Sequence, residues 1–198
     1  GLIGVPALKF GSPDDISFIS GGPKSHLSNS SMICGPSNLR VLIRQPLRGV
    51  VQSSNKHSPI EGELKLNYQK SPFTAVVEEW RHGCWYHSNS IIAINLADLF
   101  EQLKELTPNQ EFENKPKEFN PNKPFWAGSF AYDMVQWTQP ISLQNIPEEN
   151  EILAVLWLID KYISQSKNTD VFQVFSGDND WKKLVKQVIK NIPNKIEL

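Results

Sequence analysis

The residues best equipped for chemistry are few and scattered. His82, Cys84 and His87 lie within six residues of one another and form the only compact set of possible metal ligands. A metal site needs about four ligands converging from one side. On a strand, positions 82 and 84 share a face while 87 points the other way, so these three do not converge. The expectation is the polar edge of a hairpin. Paired carboxylates occur at Asp14-Asp15, Glu78-Glu79 and Glu148-Glu149. Acid–base work needs two carboxyls facing each other across a cleft in different environments. Strand neighbours point to opposite faces and loop neighbours are solvated, so all three pairs read as surface charge.

Other chemical signatures are missing. No G-x-x-x-x-G-K phosphate loop, G-x-G-x-x-G turn or G-x-S-x-G elbow occurs. The six Trp and ten Phe could stack on bases or sugars, but 20 basic against 21 acidic side chains leave a formal charge of −1. With no basic surface to hold phosphates, core packing is the expected use of the aromatics, and no nucleic acid or anionic membrane is an expected partner. No apolar run approaches the ~20 residues that span a bilayer. Cys34 and Cys84 are too few and too far apart for a disulfide scaffold or a zinc knuckle. Without a leader sequence, the expected location is cytoplasmic with both thiols reduced.

The elements that must position these residues follow from periodicity. The 198 residues suffice for one sizeable domain with a real core. Short strands are predicted at 16–19, 31–34 and 39–44, with Pro36 in the connection because it cannot donate to a ladder. Residues 45–62 read as a weakly structured excursion. Strands at 73–80 and 84–92 flank Arg81-His82-Gly83 as an antiparallel pair. Leu96, Leu99, Phe100, Leu103 and Leu106 make one helical stripe, with Asn95 as N-cap and Pro108 preventing continuation. Residues 107–124, with four prolines, read as a Pro-rich loop. A short helix is expected from about Ala127 to before Pro140, with Gly128 and Tyr132 on one face. The apolar run 152–163 is predicted as a strand, followed by a turn at 167–170 and a return strand at 171–175. A last helix, capped by Asp180, carries Trp181, Leu184, Val185, Val188 and Ile189 inward. Regular β-α-β alternation is lacking, so the predicted class is α+β with a mainly antiparallel sheet and a few packed helices.

Gly128-x-x-x-Tyr132-Asp133, a proline-containing loop, and then an apolar strand with Asp160 resemble the N-terminal region of the chorismate-utilising synthases. These are component I of anthranilate synthase and of aminodeoxychorismate (para-aminobenzoate) synthase. Phe18-Ile19-Ser20-Gly21 and Ser31-Met32-Ile33-Cys34-Gly35-Pro36 look like the family's first two strands. The likeness covers roughly residues 10–192 and is strongest over 125–175. Pro124-Phe125 stands where the family usually has Gly-Gly, and Gln136 and Gln139 stand where it has Arg and Glu. The anthranilate type usually carries Leu-Leu-Glu-Ser on its first strand, where it helps to bind tryptophan. Ser17-Phe18-Ile19-Ser20 keeps the serine and lacks the glutamate, and so looks more like the aminodeoxychorismate type.

The resemblance implies that residues 1–198 are a single, non-catalytic N-terminal domain of a folate-pathway enzyme that aminates chorismate. By the same resemblance, the chorismate-binding C-terminal domain lies outside this chain and holds the Mg2+, leaving this chain with no cofactor of its own. The implied partners are that domain and a glutamine amidotransferase subunit that supplies ammonia. Ser20 and Ser31 are the implied ligand-binding positions, in an amino-acid pocket of the tryptophan-binding type. Gly128, Phe130, Tyr132 and Asp133 are expected to pack rather than to touch substrate. The alternatives are the anthranilate synthase domain of tryptophan biosynthesis and a free-standing binding module of the same fold.

Overall fold

A computed structural model describes residues 16–18, 30–45, 72–109, 123–139, 143–166 and 172–190. Among these residues nine strands form two antiparallel sheets, accompanied by two α-helices and one 3-10 helix. The α+β class and the antiparallel pairing therefore hold. In chain order the strands are β1 Ser17–Phe18, β2 Ser30–Cys34, β3 Leu39–Arg44, β4 Phe73–Arg81 and β5 Cys84–Ala93. After helix α1 (Leu96–Leu106) come β6 Phe125–Phe130, the 3-10 helix Tyr132–Trp137, β7 Ile152–Ile159, β8 Lys161–Ser166, β9 Phe172–Ser176 and helix α2 (Asn179–Lys190).

The larger sheet runs β5-β4-β3-β7-β6 and the smaller β1-β2-β8-β9. Alternation sends Phe73, Ala75, Val77, Ile91 and Ala93 to one face of the larger sheet. Val41, Ile43, Ala154 and Leu156 join them, and Leu99 and Leu103 of α1 close over the layer. As the sequence predicts, Asn95 caps α1, its Oδ1 accepting from the Asp98 N–H at 2.9 Å. The β4–β5 turn places both His82 (φ 50°) and Gly83 (φ 82°) at positive φ, as a two-residue type I′ hairpin requires. His82 is thus a turn residue rather than a strand position.

Two predicted elements are corrected. The segment expected to be helical from Ala127 is the strand β6, paired with β7 from Phe125↔Ile159 to Phe130↔Ala154, and only Tyr132–Trp137 is helical. A helix here would leave β7 without its second neighbour, so sheet pairing overrides local preference. The apolar run 152–163 is two strands in different sheets. Residues of β7 are buried on both faces, and at Asp160 the chain leaves the larger sheet and enters the smaller as β8. Such a run looks continuous in sequence because its two halves are separately buried. The β8–β9 hairpin forms as expected, while its turn and Val171 fall outside the described residues.

The sheets meet through a second core. Cys34, Ile159, Tyr162 and Phe175 are buried there, with Met32, Phe125, Ala127 and Trp157 packed around them. Tyr162 stacks on Phe175 at 4.6 Å and meets Phe125 edge-on at 5.9 Å. On the far face of the smaller sheet, α2 lays Trp181 and Val185 against Ile163 and Val174.

Candidate functional site

A group of charged and polar side chains lies where the chain passes from one sheet to the other. Lys161 begins β8 opposite Ser176 and is only 8% exposed. Its stem runs past Gly35, where an added Cβ would stand 2.6 Å from Lys161 Cγ and 2.9 Å from the Trp181 ring. That fit leaves no room for a side chain at position 35. The ammonium lies 3.9 Å from Asp160 Oδ1, within ion-pair range but too far for a hydrogen bond.

Asp160 Oδ1 is sealed from solvent without a hydrogen-bond partner, although the rest of the side chain reaches water. Burial raises the carboxyl above its ordinary range, Lys161 opposes that shift, and Asp178 reinforces it. Asp178 moves the other way. Hydrogen bonding by the Trp181 N–H lowers it first, followed by the Asp180 N–H and the charge of Lys161. The Trp181 indole N–H is also buried without a partner. Ser37, in the β2–β3 connection, is tied to two strands of the larger sheet: its hydroxyl lies 2.8 Å from the Leu158 carbonyl of β7 and 2.7 Å from the Leu39 carbonyl of β3. The arrangement is a buried cation beside Asp160, with Asp178 near enough to feel its charge; the two carboxylates have opposite pKa tendencies and both reach solvent. It suits holding a chain crossing better than moving a proton to a substrate.

The cap of α2 is corrected here. Asp178, not Asp180, accepts from the Asp180 and Trp181 N–H groups, each at 3.0 Å. Because its carboxyl is lowered in the fold, Asp178 adds stability above its unfolded pKa, which is lost as pH falls through the folded value. Asp178→Ala is expected to cost about 1 kcal/mol at pH 7. The loss should shrink below about pH 4, read from urea midpoints at pH 7 and pH 3.

The sequence-predicted residues are dispersed. Ser20, Asp14 and Asp15 lie outside the described residues. Ser31 is half-buried on β2, opposite Gln165 of β8. Strand alternation puts it on the face of Ile33, toward α2, and not on the Met32 and Cys34 face between the sheets. Glu78 and Glu79 take opposite faces and different arginines: Glu78 Oε2 accepts from Arg40 Nε at 2.6 Å, and Glu79 pairs with Arg81. Arg40 also lies 4.3 Å over the Trp85 ring, which meets Trp80 edge-on. Glu148 and Glu149 are exposed.

Cys84 and His87 fall on opposite faces of β5, and His87 Nε2 sits 2.9 Å from Ser90 Oγ. Among the described residues no three His, Cys, Asp or Glu side chains come together in a way that could hold a metal ion. Burial pushes the Cys34 thiol up to about 12, so it carries almost no thiolate at neutral pH. Among the described residues no helix is long and apolar enough to cross a membrane.

Around the motif that carries the resemblance, Gly128 is pinned. A Cβ there would collide with the Val155 carbonyl and lie 2.8 Å from Leu156 Cα. The expected close approach exists, but between strands rather than from a helix face. Tyr132, expected to pack, is 79% exposed. Gln136 is buried, its Nε2 3.4 Å from Gln45 Oε1, so a neutral amide occupies an interior position where a charge would be costly.

The Lys161 junction was missed by sequence reasoning. Asp160 stood out there only as an interruption of an apolar run, and Asp178 and Gly35 gave no signal. Comparison with known proteins finds no matching family model, no matching curated protein and no matching solved structure.

Proposed function

We propose that the chain is a non-catalytic N-terminal domain of a chorismate-utilising synthase component I, of the aminodeoxychorismate type. The observation that carries this reading is the state of Gly128-x-x-x-Tyr132-Asp133. Its glycine is fixed by the β7 backbone, while Tyr132 is exposed to solvent at the start of the 3-10 helix that follows β6. A scaffold strand that ends in an exposed aromatic fits a surface offered to another domain better than it fits a reacting centre.

On this reading the chorismate-binding domain holds Mg2+ and the reacting residues, and a glutamine amidotransferase delivers ammonia to it. The present chain completes the fold. Ser20 and Ser31 remain the proposed ligand contacts, with Ser31 approached from the α2 side of the smaller sheet.

The test is complementation. The 198-residue chain alone, given chorismate, ammonia and Mg2+, should make no product. Mixed with an aminodeoxychorismate synthase component I whose own N-terminal domain has been removed, it should bind and restore aminodeoxychorismate formation. Turnover by the chain alone, or a mixture with neither binding nor activity, would overturn the proposal. Restored formation of anthranilate instead would move the assignment to the tryptophan-pathway enzyme.

A further inference from the structure

Strand β6 is an edge of the larger sheet, hydrogen-bonded to β7 alone among the described strands. The Ala131 N–H donates to the Leu153 carbonyl at 2.7 Å, which fixes the phase of the ladder. Odd-numbered residues from 125 to 131 therefore turn their N–H and C=O groups toward β7. Trp126, Gly128 and Phe130 turn theirs outward.

Edge strands are normally guarded by charge, proline or a bulge. From Phe125 to Tyr132 this edge has none of these within it, since Pro124 only precedes it and the nearest charges are Lys123 and Asp133. It is also apolar on the helix side. Phe130 and Phe100 are each 41% exposed and meet edge-to-face at 6.2 Å, with Tyr132 beside them in sequence.

The sequence of this edge is self-complementary about its middle. We propose that β6 pairs antiparallel with β6 of a second copy of this chain, on a two-fold axis through Gly128, joining the two larger sheets into one. In that register Gly128 meets the second Gly128, and each Trp126 lies opposite a Phe130, so every outward N–H and C=O finds a counterpart. Trp126 and Phe130 then form aromatic cross-strand pairs on the α1 face, the kind that stabilises antiparallel neighbours. The same axis sets Lys123, ahead of one strand, at the end where Asp133 follows the other. Other antiparallel registers separate Trp126 from Phe130 and lose this charge match. The inference is independent of the assignment to a chorismate enzyme.

Two measurements test it. Light scattering after size exclusion should show the full chain as a dimer at micromolar concentration. Phe130→Lys, at an exposed position, should weaken that dimer by about thirtyfold or more while near-ultraviolet circular dichroism stays unchanged. The register is tested separately. Ala127 and Ser129 occupy non-hydrogen-bonded positions across the new pair, where Cβ atoms approach closely enough for a disulfide. In a Cys84→Ser background, which removes the exposed native thiol, Ala127→Cys/Ser129→Cys should form a covalent dimer under mild oxidation. A folded monomer at all concentrations would overturn the proposal. So would a dimer indifferent to Phe130→Lys, or one that fails to cross-link through 127 and 129.

Discussion

Gly128→Val is expected to be among the most damaging single substitutions in this chain, costing about 3 kcal/mol. The reason is steric and local. An added Cβ collides with the carbonyl oxygen of Val155 and sits 2.8 Å from Leu156 Cα, so the obstacle is backbone in a strand buried on both sides. A flexible side chain could rotate away, but a central strand cannot. β7 holds β3 on its other edge from Arg40↔Trp157 to Arg44↔Ile152, and pushing it shifts that pairing too. Gly128→Ala should give a smaller loss of the same sign. Thermal unfolding of the two variants beside the parent decides the matter. If Gly128→Val leaves the midpoint within a degree or two, the close approach of β6 and β7 is not what position 128 requires. The contrast is Gly83, where an added Cβ would meet nothing within 4 Å and any penalty comes from its φ of 82° alone.

The glycine shows what could be read from the sequence. A close approach at Gly128 was legible, but its geometry was not. Gly-Ser-Phe-Ala-Tyr-Asp carries no strong alternation, and a four-residue spacing between Gly128 and Tyr132 suits a helix as well as the end of a strand. Where one face was buried and the other wet, as in β4, β5 and α1, the period identified the element and its limits closely, and Asn95 was recognisable as a cap. Where both faces were buried, alternation vanished. The run through β7 and β8 could not reveal that Asp160 divides two sheets, because Ile159 and Tyr162 enter the same inter-sheet core from either side of the break. The junction around Lys161 was illegible for another reason. Its members come from β2–β3, β7–β8 and the start of α2, and no local spacing announces that Gly35, Lys161 and Trp181 will touch. Ser31 illustrates the limit of a likeness in sequence. The strand it lies on was foreseen, while the face it presents depends on register with β8.

Lys161 offers the second large effect, and its size depends on pH. Lys161→Met keeps most of the stem that packs on Gly35 and Trp181 but removes the ammonium. Breaking a buried pair by deleting one partner costs about 3–5 kcal/mol when the remaining charge is fully enclosed. Asp160 keeps part of its side chain in water, so about 2 kcal/mol at pH 7 is the expected loss after allowing for solvent screening. Asp160 already has a raised carboxyl in the fold. Its contribution is therefore favourable below the unfolded pKa and is lost as pH rises through the folded one. Without Lys161, which opposes that rise, the folded value climbs further and the penalty at neutral pH grows. Asp178 loses part of its stabilisation in the same direction, because Lys161 helps to lower it. Both carboxylates thus predict that Lys161→Met is worst at pH 7 and recovers toward acid, where the variant and parent curves should converge. Adding Asp160→Asn to Lys161→Met should restore much of the loss at pH 7, since the stranded charge is then absent. Urea unfolding of the parent, the two single variants and the double variant at pH 7 and pH 4 gives the coupling directly. A Lys161→Met penalty that is unchanged between the two pH values, and unrelieved by Asp160→Asn, would mean that the lysine acts through packing against Gly35 and Trp181 rather than through its charge.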